Sequence, residues 1–114
     1  MLAPLLALAM QTTPDPAKGA VLYSECKAYI ALVDKTRSID SDAMLDAGTC
    51  LGYISGFTDV VALGSSTVCL KPVTAATLIR VYIAYIDKNP KLFDEPRNLT
   101  VALALTDAYP CPAK

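Results

Sequence analysis

Apolar residues recur along this chain at three- and four-residue steps, the spacing of one face of an α-helix rather than the alternation of a strand. Leu22, Cys26, Tyr29, Ile30 and Val33 form the first such stripe. Asp15 followed by Pro16 offers a helix start, because proline at the first helical position loses an N–H that would be unsatisfied anyway. Asp34-Lys35-Thr36-Arg37-Ser38 interrupts the pattern. A second helix is expected from about Ser38–Ser41 to Gly64, with Leu45, Leu51, Ile54, Thr58 and Val61 on its buried side. The polar loop Gly64-Ser65-Ser66-Thr67 follows. Thr74 then caps a third helix, with Val73 placed to staple onto Leu78. That helix carries Ile79, Tyr82, Ile83, Tyr85 and Ile86 before stopping at Asn89-Pro90. The fourth begins near Asp94-Glu95-Pro96, runs through Leu99, Leu103 and Leu105, and is ended by Pro110 after Tyr109. The pattern predicts an all-α fold of four main helices in two antiparallel hairpins.

A length of 114 residues leaves room for one hydrophobic core. The first ten, MLAPLLALAM, are apolar and uncharged, and Ala7-Leu8-Ala9 has the small-x-small pattern a signal peptidase accepts. The run is shorter than the ~20 residues a spanning helix needs, and it lacks a basic leading region. Gln11-Thr12-Thr13-Pro14-Asp15-Pro16 reads as a linker. Residues 1–14 are therefore read as a partial signal peptide and linker, and residues 15–114 as the mature helical domain of an exported protein.

Four widely spaced cysteines, Cys26, Cys50, Cys69 and Cys111, fit two disulfides in an oxidising compartment. Helix geometry constrains the pairing. If the first two helices are antiparallel, Cys26 and Cys50 lie at matching heights, roughly 12–15 Å from the connecting turn at about 1.5 Å rise per residue. Cys69 and Cys111 fall just before the third helix and just after the fourth, both at the open end of the second pair. The expected bridges are Cys26–Cys50 and Cys69–Cys111.

Charge and composition remove several function classes. Ten basic against eleven acidic residues give a net charge of −1, which leaves no electrostatic footprint for nucleic acid. The chain has no histidine, so Ser–His or Cys–His nucleophilic catalysis and His-ligated metal sites are excluded. Asp59 and Arg80 each interrupt an apolar stretch and are expected to pair with each other, since buried charges are tolerated only in pairs. Asp40 and Asp42 stand at the start of the second helix, where carboxylates complement the dipole. Tyr29, Tyr82 and Tyr85 lie on or beside core stripes. These placements favour structural roles over an active site, and no cofactor is expected. Gly48, Gly52 and Gly56 fall on one face of the second helix, each costing roughly 1 kcal/mol relative to Ala. Close packing by a neighbouring helix is the expected reason, with a ligand meeting bare backbone as the alternative.

Four segments taken in order resemble one family: Cys50-Leu51-Gly52-Tyr53-Ile54-Ser55-Gly56, Cys69-Leu70-Lys71-Pro72, Tyr85 leading to Asn89-Pro90, and Ala104 through Tyr109-Pro110-Cys111. They are similar to the Rap/Tai immunity proteins, which neutralise peptidoglycan amidase effectors delivered by the type VI secretion system. The resemblance runs from about Gly19 to Cys111. It implies an all-helical periplasmic protein, often a homodimer, that plugs an amidase active site and is not itself an enzyme. The alternative is a small periplasmic stress protein of the acid-stress chaperone (Hde) type. The family's inhibitory contacts do not align to a motif, so the expected contact residues come from loop physics. A plug should be an exposed loop on a rigid base. Gly64, Ser65, Ser66 and Thr67 meet that description, tethered at once by Cys69. Phe93, in the connection between the third and fourth helices, either reaches the partner or folds back onto the core.

Overall fold

The computed structural model describes residues 15–112, so the expected signal peptide and linker at residues 1–14 lie outside the described residues. Four α-helices and one 3-10 segment make up the chain: α1 (Gly19–Val33), α2 (Ser41–Ala62), α3 (Ala75–Lys88), the 3-10 turn Pro90–Asp94, and α4 (Arg97–Ala108). Among the described residues there is no strand, only two isolated bridges, Lys18 with Pro96 and Val68 with Pro110. The fold is all-α, as the periodicity implies.

The helix ends show how local chemistry and tertiary contact share the work. Asp40 caps α2, its carboxylate accepting the Ala43 N–H at 2.8 Å, and Asp42 sits in the first turn. Thr74 caps α3 by accepting from the Thr77 N–H at 3.2 Å. The end of α1 is closed by the Thr36 N–H donating to the Ala31 carbonyl (2.8 Å) and the Lys35 N–H donating to that of Leu32 (3.2 Å). This paired pattern puts Lys35 in the left-handed region at φ 59°.

Helix α1 departs from expectation. Asp15 does not cap it; its side chain accepts the Ala17 N–H at 2.9 Å and closes a short turn ahead of the helix. The orphan donors are met by distant backbone instead. The Gly19 N–H donates to the Glu95 carbonyl at 2.8 Å, and the Arg97 N–H donates to the Ala17 carbonyl at 2.7 Å. The starts of α1 and α4 are thereby locked side by side. Gly19 makes this possible: a Cβ there would stand 2.7 Å from the Leu92 carbonyl oxygen and 2.8 Å from Thr100 Cγ2.

The core is built from Leu22 and Cys26 of α1, Ile54 of α2, Leu78, Ile79, Tyr82 and Ile86 of α3, and Val101, Ala104 and Leu105 of α4. Helix α1 packs most broadly on α2 and also touches α3, α4 and the 3-10 turn, while α3 rests on α1 as well as on α4. Disulfides join Cys26 to Cys50 and Cys69 to Cys111, the expected pairs, with Cα atoms 5.0 and 4.8 Å apart. The first bridge is fully buried and the second lies outside the core.

Of the stripe expected on α2, Ile54 is buried and Thr58 and Val61 are half-buried, while the N-terminal half of the inner face is Ala43, Ala47 and Cys50 in place of Leu45 and Leu51. Leu45 and Leu51 point outward, as do Val33, Leu99 and Leu103 on the other helices. Small side chains and the Cys26–Cys50 bridge bring α1 and α2 together, and the larger apolar residues are left at or beyond the edge of that contact.

Candidate partner-binding site

Between α2 and α3 the chain forms the most elaborated exposed loop of the described molecule. Leu63 closes α2, and Gly64 turns the chain at φ 152°, a conformation an L side chain rarely adopts. The Ser65 hydroxyl then accepts the N–H groups of Thr67 (3.2 Å) and Val68 (3.1 Å), folding the loop on itself. Val68 is buried and bridges to Pro110, the Cys69 N–H donates to the Tyr109 carbonyl at 2.9 Å, and Cys69 is bonded to Cys111. Loop residues 64–67 are all exposed. Their base is thus held by a buried valine, a backbone hydrogen bond and a disulfide within two residues of Thr67. Such a loop loses little further freedom on docking.

Sequence reasoning treated Ser65 and Ser66 alike, but the structure separates them. Ser65 holds the loop's shape, whereas Ser66 is exposed and no side-chain hydrogen bond from it is seen among the described residues. The small polar residues of the turn carried this distinction only as a general turn propensity.

Phe93 lies in the 3-10 turn and is half-buried, its ring edge-on against Tyr23 with centroids 5.2 Å apart. It folds back toward α1. Tyr23 is itself anchored by donating its hydroxyl to the Asp87 carboxylate. That hydrogen bond, with burial and the nearby negative charge, raises the Tyr23 pKa.

The charged residues take positions that the pattern alone did not give. Arg80 pairs with Asp34 at 2.7 Å, across the α1–α3 surface, and not with the exposed Asp59. The pattern suggested burial for both Asp59 and Arg80, yet both face solvent, so neither needed the other. About half of each paired side chain is exposed, so this bridge is worth at most about 1 kcal/mol. Buried polarity is concentrated elsewhere. Tyr82 shares a 2.9 Å hydrogen bond with Thr100, and burial pushes its hydroxyl up to about 12. Glu25 has one carboxylate oxygen buried without a hydrogen-bond partner among the described residues. Burial raises its pKa and the nearby Asp46 raises it further, while Arg97, stacked 4.3 Å from the Tyr53 ring centroid, pulls the other way. Nothing in spacing or periodicity marks Glu25, whose charged neighbours, Asp46 and Arg97, come from α2 and α4.

The second-helix glycines also differ from expectation. Among the described residues, Cβ atoms at Gly48, Gly52 or Gly56 would meet nothing within 4 Å, so none of the helices α1, α3 and α4 presses on them. Gly19, which carried no sequence signal, is the glycine against which the chain packs.

A family model described as Rap1a immunity proteins matches residues 18–111, which takes in all four helices, both disulfides and the loop. The chain belongs to that family. The Rap1a match agrees with the Rap/Tai resemblance and covers the whole described helical domain. No curated protein and no solved structure matches the chain. Membership in an immunity-protein family implies that the chain binds a partner effector.

Proposed function

We propose that this Rap1a-family chain is a periplasmic immunity protein that binds and inhibits a peptidoglycan amidase effector of the type VI secretion system. The family match over residues 18–111 carries the reading, and it favours immunity over the acid-stress chaperone alternative. Two disulfides suit an oxidising compartment. No helix of the described residues is long and apolar enough to cross a membrane. The proposal includes inhibition without catalysis by this chain, and pairing of two copies as a homodimer.

The contact surface in this reading is the loop Gly64-Ser65-Ser66-Thr67, entering the effector's cleft from its disulfide-held base. Phe93 is the second candidate, through the part of its ring that Tyr23 leaves open. The test measures inhibition of exported peptidoglycan amidases acting on purified cell-wall sacculi, beginning with any amidase encoded beside this chain. Ser66→Arg should weaken inhibition at least tenfold, about 1.4 kcal/mol, with helicity and both disulfides intact. Phe93→Ala should have a smaller effect. Failure to bind or slow any such amidase would remove the proposal, and undiminished inhibition by both variants would move the contact to the helix faces.

A further inference from the structure

The two disulfides differ in what surrounds them. Cys26 and Cys50 are both 0% exposed, sealed between α1 and α2. Cys69 is exposed and Cys111 half-buried, at the surface beside the loop of residues 64–67. The outer bridge also touches that loop directly. Cys111 Sγ stands 4.0 Å from the carbonyl oxygen of Ser65, the residue whose hydroxyl accepts the Thr67 and Val68 N–H groups and folds the loop. One end of the bridge is thus fixed two residues beyond Thr67, and the other lies against the loop's own backbone.

We propose that Cys69–Cys111 is a redox-sensitive latch on this loop: a dithiol reductant opens it in the folded chain, and the opened form binds the effector more weakly. The inference rests on the loop being the contact surface of the proposed function and names how that surface is regulated.

Reduction begins with a thiolate attacking one sulfur of the bridge, so access governs the rate. Attack falls on Cys69, the exposed member, which forms a mixed disulfide with the reductant while Cys111 leaves as a thiolate. The reductant's second thiol then attacks the mixed disulfide and releases Cys69. Two electrons pass to the protein bridge, the reductant departs as its own disulfide, and its two protons end on the Cys69 and Cys111 thiols. No such path reaches Cys26–Cys50 until α1 and α2 part.

The fold has little reason to change when the outer bridge opens. The core cluster contains neither Cys69 nor Cys111, and the Val68 side chain and the Cys69 N–H bond to the Tyr109 carbonyl do not depend on the S–S link. A disulfide acts mainly on the freedom of the unfolded chain. What changes locally is the loop. In the bridged chain, residues 64–67 are held by α2 on one side and by a covalent link to the segment after α4 on the other. In the opened chain, Val68 and one backbone hydrogen bond carry the second hold alone, and the Cys111 sulfur can leave the Ser65 carbonyl. The loop then loses more freedom on docking, and affinity falls.

Brief treatment of the native chain with dithiothreitol, quenched by iodoacetamide and followed by peptide mass mapping, tests the latch without an effector. Cys69 and Cys111 should be alkylated at least tenfold faster than Cys26 and Cys50, with the circular dichroism spectrum unchanged. The Thr67 and Val68 amides should exchange hydrogen faster in the opened chain. Equal alkylation of the two bridges, or helicity lost in step with alkylation, would overturn the latch. Inhibition assays then compare the bridged chain, the chain opened at Cys69–Cys111, and the Cys69→Ser, Cys111→Ser chain, which is permanently open. Both open forms should inhibit an amidase at least fivefold more weakly, and reoxidation should restore the first of them. Equal inhibition by bridged and open chains would overturn the regulation and leave the immunity reading standing. Failure of the bridged chain to inhibit any amidase would remove the immunity reading and the effector half of this inference with it, whereas selective opening and faster loop exchange would still support the latch.

Discussion

Removing the Cys69–Cys111 disulfide, by replacing both cysteines with serine, should cost stability while leaving the native fold in place. The bridge joins residues 42 apart in sequence and so encloses α3, the 3-10 turn and α4. Chain-entropy theory assigns a loop of that length about 4 kcal/mol, nearly all of it through the unfolded state. Little should be lost from the folded state. Cys69 is exposed and Cys111 half-buried, so serine leaves no cavity, and the Cys69 N–H bond to Tyr109 and the buried Val68 still hold the segment. Urea unfolding followed by circular dichroism should therefore show a midpoint lowered by roughly 1–3 M at unchanged native signal, with a steeper slope because the unfolded chain is less compact. The Cys26–Cys50 bridge gives the comparison. Its loop spans only 24 residues, worth about 3.5 kcal/mol by the same theory, yet both sulfurs are fully buried. Serine there adds two unpartnered hydroxyls to the core, so that variant should be the less stable of the two despite the shorter loop. A loss below about 1 kcal/mol for Cys69→Ser with Cys111→Ser, far short of the loop-entropy value, or a native state with reduced helicity, would refute the reasoning.

Gly19→Ala should destabilise the chain by about 2–3 kcal/mol, because the new methyl meets a backbone carbonyl and overpacking of this kind costs typically about 1–3 kcal/mol, with strain on the Tyr82–Thr100 hydrogen bond added. Thermal unfolding reads it directly, and a variant as stable as wild type would show that α1 and α4 can separate without cost. Glu25 makes stability depend on pH. Its folded pKa is raised above the ordinary glutamate value, so the folded state holds the proton more tightly than the unfolded one, and its penalty is relieved as pH falls from neutral through the raised pKa. Glu25→Gln should accordingly be more stable than wild type near neutral pH, the difference shrinking as the solution is acidified. Parallel pH profiles for the two proteins would exclude the effect.

What the sequence made legible was the information each helix carries by itself. Thr74 and Asp40 cap where their side chains can reach the next turn, Asn89-Pro90 ends α3, and the two cysteine pairs follow from counting rise along four helices. What stayed hidden was decided between helices. Asp15-Pro16 has the chemistry of a helix start, but the helix begins at Gly19 because backbone from Glu95 offers its N–H a partner. Leu45 and Leu51 have the right period for a core stripe, but α2 meets α1 through Ala43, Ala47 and Cys50, and the choice between these two faces depends on how closely two helices approach.

The glycines show the same limit most clearly. Gly48, Gly52 and Gly56 announce themselves by spacing, and the spacing calls for a neighbouring helix or a ligand along that face. Among the described residues neither is there. Gly19 is a single residue at a helix end and announces nothing, yet it is where carbonyl and methyl groups from two other segments crowd the backbone. A regular pattern is therefore informative about a helical partner, whether inside the chain or outside it. A close contact made by irregular backbone leaves no pattern, because the 3-10 turn and the start of α4 that make it come from the far end of the chain. The glycine stripe stays costly to helix α2, at roughly 1 kcal/mol for each glycine, and no contact among the described residues offsets that cost.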